Sequence, residues 1–128
     1  MKFFFDNNLS SHLVEGLQAF GERVEHLTEH FQGDTSDTIW LPYVGSKQLV
    51  LISRDTQLRW NPAEIQAIRD NRVGAFIMTG KSLTHCQIVQ QLIRNWPQIK
   101  AIATRSAKRT PYIYRIPPSG TTITAYTI

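Results

Sequence analysis

Apolar positions along the chain follow two rhythms. Uninterrupted runs at KFFF, LVLI and VGAFIM read as strands buried on both faces, the pattern of a parallel sheet covered by helices. Between them, apolar residues recur at helical spacing. SSHLVEGLQAF opens on serine, sets Leu13, Val14, Leu17 and Phe20 on one face, and stops at Gly21. RVEHL is a short second strand. HFQGDTSDTIWLPYVG is a turn-rich loop in which Ser36 or Asp37 caps a short helix before Gly45. LVLIS, residues 49–53, is the third strand, and Asn61 with Pro62 opens a helix over about 62–71. VGAFIMT is a fourth strand, SLTHCQIVQQLIRNW an amphipathic helix and PYIYRI a fifth strand; TTITAYTI is a further strand or a tail. The alternation predicts an α/β fold, a three-layer helix–sheet–helix sandwich on a mostly parallel sheet of four or five strands.

Composition bounds this picture. A chain of 128 residues, 41% hydrophobic and 19% charged, suits one globular domain over 1–128, with no repeat or linker. Asp6 cuts MKFFF short of the apolar core of a signal peptide, and no run approaches the roughly 20 apolar residues of a membrane span. Cys86 stands alone, which excludes an intrachain disulfide and a cysteine-rich zinc site. The expected setting is the cytoplasm, with no membrane contact.

Charge divides the chain. Residues 1–70 carry all ten acids against six bases, a net of −4, whereas residues 71–128 carry eight bases and no acid, +8. Lys100, Arg105, Lys108, Arg109 and Arg115 crowd the segment from about 100 to 128 beside Tyr112 and Tyr114. Such a stretch suits phosphate neutralisation with aromatic surfaces for bases, or serves as a solvated surface.

Candidate chemistry lies at the strand ends. Asp6 follows the first strand and Asp55 the third, so both fall at one edge of a parallel sheet, and a helix starting near Asp37 can face them. Singly, each aspartate is explained by a turn or a cap. Together they offer the oxygen donors that Mg²⁺ or Mn²⁺ prefers, and a cation so held activates water and neutralises phosphodiester charge.

FFFDNNLS, SDTIW and LISRD resemble, in order and spacing, segments of the PIN-like domains, metal-dependent ribonucleases that include the VapC-type toxins of toxin–antitoxin pairs. The resemblance runs from FFFDNNLS to the helix near Trp96 and is nearest a compact subgroup. It implies RNA hydrolysis by a metal-activated water, with Asp6, Asp37 and Asp55 as catalytic and metal-binding residues. It further implies an antitoxin protein as partner and a homodimer, to which Trp40, Leu41, Tyr43 or the Trp60 region could add an apolar contact if they do not serve the core. Asn8, Arg54, Arg59, Lys81, Arg105, Lys108 and Arg109 are substrate-binding candidates. Larger PIN domains carry another acid between the first two aspartates; Glu29 and Asp34 fit by location only, and Glu64 could point toward the site, although its helical position favours solvent.

Three other readings compete. TGKS at 79–82 ends like a phosphate-binding loop, but Ala75 replaces the required glycine. A phospho-acceptor receiver domain would use Asp6 for Mg²⁺, Asp55 as acceptor, and Thr79 and Lys81 as helpers; Asn7 and Asn8 stand where it wants a second acid. A PIN-like fold without cleavage, binding RNA or a protein, is the third. His12, His26, His30 and His85 show no metal-ligand spacing.

Overall fold

The computed structural model describes residues 1–128. Strands β1 (Phe3–Phe5), β2 (Val24–His26), β3 (Val50–Ser53), β4 (Gly74–Met78), β5 (Tyr112–Ile116) and β6 (Thr124–Tyr126) alternate with helices α1 (Ser11–Ala19), α2 (Asp37–Ser46), α3 (Pro62–Asp70) and α4 (His85–Arg105). All six strands join one sheet in the order β2-β1-β3-β4-β5-β6. The first five are parallel and β6 pairs antiparallel with β5. The sheet thus exceeds the expected four or five strands, because TTITAYTI closes the β5 edge rather than trailing from it.

Successive strand residues face opposite ways, which splits the phenylalanine run. Phe3 and Phe5 pack with Val14 and Leu17 of α1 and with Leu92, Trp96 and Ile99 of α4. Phe4 faces Trp40, Leu41 and Val44 of α2 and Ile68 of α3. The sheet is therefore the middle of three layers. Trp40 and Leu41 are fully committed to this packing and are not available to a partner; Trp60 is exposed.

Two helices run past the stops expected of them. α4 continues through Pro97 to Arg105 because Ile99, Ile102 and Ala103 beyond the proline are buried in the α1/α4 layer, which offsets the lost backbone bond. α2 passes Pro42 and includes Gly45, where α2 lies so close to Asn71 that a Cβ would overlap its carbonyl oxygen.

The sheet order reverses at β1, since β2 lies on one side of it and β3 on the other. The crevice beyond the carboxyl ends of β1 and β3 is a topological switch point, where open α/β sheets hold their ligands. The turns entering β3, β4 and β5 lie at the opposite, amino edge.

Candidate metal centre

Asp6 ends β1 inside the molecule, only 4% exposed. Ser53 Oγ donates to its Oδ2, and the Asn8 N–H donates to Oδ1 at 3.3 Å. The Asp55 N–H donates in turn to Ser53 Oγ at 2.9 Å, so the ends of β1 and β3 are joined through one hydroxyl. Burial pushes the Asp6 carboxyl up to about 7; the charges of Asp55 and Asp37 add to that, while Ser53 and the Asn8 backbone oppose it.

Asp55 caps a 3₁₀ turn over Thr56–Arg59, its carboxylate accepting from the Gln57 N–H at 3.0 Å. Asp37 occupies the first turn of α2 behind Ser36, and Glu64 the first turn of α3, where Asn61 caps the helix through the N–H groups of Ala63 and Glu64. Negative side chains are favoured at helix amino ends, and two such ends meet here. One carboxylate oxygen each from Asp37, Asp55 and Glu64 lies within 4.8 Å of the others.

Of the two directions open to Glu64, the structure takes the one its helical position made less expected. The side chain points into the site rather than to solvent, because packing of Ile68 and Leu58 beneath the sheet turns the start of α3 toward α2. Its carboxyl is raised to about 7, first by burial, then by contact with the Asp37 carboxyl and by the charges of Asp55 and Asp37. Asp37 is raised too, by burial and by Asp55, with the Glu64 contact opposing. Glu64 Oε2 is buried with no partner in the protein. A cluster of hard oxygens, one of them buried and unpartnered, fits a divalent cation.

The extra acid does not come from the loop after β2. Glu29 Oε2 accepts from the His26 N–H at 2.6 Å and closes a local cap, and Asp34 is exposed in the loop before α2. His26 is a brace: its Nε2 donates to the Leu9 carbonyl at 2.7 Å while Nδ1 accepts from the Thr28 N–H. His30 pairs with the buried Glu25, which Lys2 and Tyr43 hold below the usual carboxylate range against the effect of burial.

The neutral and basic candidates separate into two groups. Asn8 Oδ1 accepts from the Arg54 N–H at 3.0 Å, tying the turn after β1 to the end of β3. Arg54 Nη2 donates to the Gly80 carbonyl at 3.1 Å, and its Nε is buried without a partner. Arg59 lies over the Tyr126 ring, 5.2 Å from its centre. Lys81 is exposed in the turn after β4, at the same edge as Asp6. Arg105 ends α4, and Lys108 and Arg109 precede β5, so all three sit at the amino edge, away from the carboxylates. Thr79 donates both its N–H and its hydroxyl to the Ile116 carbonyl and is structural.

Fold and site together define a class: an α/β sandwich that gathers carboxylates from two strand ends and two helix starts at the switch point of a parallel sheet. Within that class the chain belongs to the PIN-like domain family, whose model matches residues 1–80, from β1 through the turn after β4. Comparisons with curated proteins and with solved structures returned no match. The matched region holds the three clustered carboxylates, Asp37, Asp55 and Glu64, and also Asp6, which lies outside that cluster.

Proposed function

We propose that the protein is a metal-dependent endoribonuclease, with residues 1–128 acting as one unit in the cytoplasm. The observation that carries this reading is the convergence of Asp37, Asp55 and Glu64 on a PIN-like fold, with one Glu64 oxygen left unpaired. These three would hold Mg²⁺ or Mn²⁺, and Asp6, buried behind them, supplies the fourth carboxylate. When bound, a divalent cation lowers the pKa of water toward neutrality and offsets charge on a phosphodiester.

The protein's own groups prepare the site. Ser53 fixes Asp6 and the Asp55 backbone, so the two strand ends cannot separate. The two helix starts hold Asp37 and Glu64 in place against their mutual repulsion. Arg54 and Lys81 lie at the same edge, where they balance substrate phosphate. The role of Asn8 is to position Arg54, whose side chain approaches from the turn it braces.

The receiver reading loses its support, because Thr79 is engaged by the β5 end and Lys81 follows β4 rather than β5. The toxin assignment extends the proposal to an antitoxin partner and a homodimer. It predicts co-purification with a small protein encoded beside this gene, and two copies by light scattering.

Incubation of wild-type protein, Asp55→Asn and Glu64→Gln with total cellular RNA, in Mg²⁺, Mn²⁺ or chelator, tests the reading. Discrete cuts that need metal and vanish in both variants support it. Identical, metal-independent results for all three proteins contradict it and leave a non-cleaving RNA- or protein-binding module.

A further inference from the structure

The basic residues of the second half of the chain gather with others at the amino edge of the sheet. Lys47 lies in the turn entering β3, Arg72 in the turn entering β4, and Lys108 and Arg109 in the turn entering β5. These three strands are neighbours, so their entry turns succeed one another at about 4.8 Å spacing. Arg105 at the end of α4 extends the row. All five side chains are exposed, and none takes part in an ion pair.

Of two acids nearby, one is paired with a base and one is not. Glu22 is held by Lys100 at 2.9 Å, and Asp70 accepts from Gln66 at 2.7 Å. An open cleft of about 890 Å³ lies among these turns, with Arg72, Lys108, Tyr112 and Asp70 on its walls. The Gln66 amide is neutral, so Asp70 keeps its charge; against five unpaired bases it leaves the amino edge net positive, while the carboxyl edge presents the carboxylate cluster.

We propose that the amino edge is a docking surface for the phosphate backbone of RNA, separate from the carboxylate site. The inference rests on the ribonuclease reading for its choice of polyanion. Its physical basis is charge complementarity: the carboxylate edge has only Arg54 and Lys81 to offset its repulsion of a polyanion, whereas the amino edge is net positive, and each lysine or arginine that meets a phosphate releases counterions. α4 spans the two edges with 21 residues. At 1.5 Å per residue that is roughly 30 Å, so a folded RNA reaches both edges and an oligonucleotide of a few nucleotides does not.

The test is binding in the Asp55→Asn background, with a folded stem-loop RNA and a short single-stranded oligonucleotide as probes over a series of salt concentrations. Arg105→Glu/Lys108→Glu/Arg109→Glu is compared with the parent after thermal melting shows both folded. If the triple variant melts early, the milder Lys108→Gln/Arg109→Gln pair reads the same effect. The expected result is at least a roughly tenfold loss of stem-loop affinity and a salt dependence shallower by about 2 in log–log slope, with oligonucleotide binding little changed. Unchanged stem-loop binding overturns the proposal and leaves a solvated surface. Equal losses on both probes overturn it as well, since the residues would then act at the carboxylate site. Loss confined to phosphatidylserine vesicles, assayed in parallel, overturns it in favour of a membrane surface. Because binding is read without turnover, the docking surface can stand or fall independently: failure of the wild type to cut RNA would sink only the catalytic reading.

Discussion

The two edges of the sheet solve opposite electrostatic problems. At the carboxyl edge, Asp6, Asp37 and Glu64 are all pushed above the normal carboxylate range, first by burial and then by the charge of Asp55, so the cation-free site opposes folding at neutral pH. At the amino edge, Lys47, Arg72, Arg105, Lys108 and Arg109 stand in solvent, where charge costs the fold little. Strain of this kind is retained where it serves binding or chemistry. The contrast sets a compact carboxylate cluster against an extended row of solvated bases.

The largest effect should come from breaking the carboxyl edge. Asp55→Asn or Glu64→Gln should lower metal-dependent RNA cleavage by at least about a hundredfold, the scale of losing one preorganised electrostatic contributor. Initial rates at saturating Mg²⁺ or Mn²⁺ would show it, and near-wild-type rates would remove that residue from the site.

Acidity sharpens the comparison. Asp6 and Glu64 have folded-state values near 7, above their unfolded ones, so between about pH 4 and pH 7 the folded protein binds more protons than the unfolded chain. Stability in chelator should therefore be highest at the acid end of that range, fall as pH rises through 7, and level off above it. Asp6 alone accounts for a loss on the order of 2–4 kcal/mol. Added Mg²⁺ or Mn²⁺ should restore stability at pH 8, where the carboxylates are ionised. Denaturant melts at pH 5.5 and pH 8, with and without metal, check both parts; a stability that rises with pH in chelator would contradict the picture.

Smaller effects separate shape from charge. Gly80 has φ +123°, and a Cβ there would come within 2.9 Å of Leu83 and Pro118, so Gly80→Ala should cost roughly 1–3 kcal/mol and loosen Arg54, which bonds the Gly80 carbonyl. Thermal melts read the first consequence and RNA affinity the second. At the amino edge, Lys100→Ala removes the ion pair with Glu22, and stability should drop by under about 1 kcal/mol because both partners are partly exposed. A larger loss would mean that this edge is less solvated than its exposure implies.

Much of this arrangement was legible in the sequence. Asp6 and Asp55 follow hydrophobic runs, and in a parallel sheet that fixes the edge to which they belong. Asn61 and Pro62 announced the start of α3, and the structure bears them out as cap and first residue. The same local reading stopped α4 near Trp96, since a proline argues against continuation; burial beyond Pro97 is a tertiary gain that no local pattern displays. TTITAYTI also stayed ambiguous, because pairing with β5 decides whether it is a strand.

Glu64 shows the limit most clearly. Its helix and capping residue were readable, yet the direction of its side chain depends on how α3 packs against α2 and the sheet, which no spacing along one helix determines. Arg105, Lys108 and Arg109 carry the complementary lesson. Their clustering was visible in the chain, but the end of the sheet they occupy follows from α4 running back along the strands before β5 begins. The sequence by itself determined which segments are strands and helices, the α/β class, the acid–base division and the strand-end aspartates, all of which depend on local pattern and charge. Only the tertiary structure decided that Glu64 joins Asp37 and Asp55 and that the acidic and basic groups lie at opposite edges, because those facts depend on contacts between residues far apart in the chain.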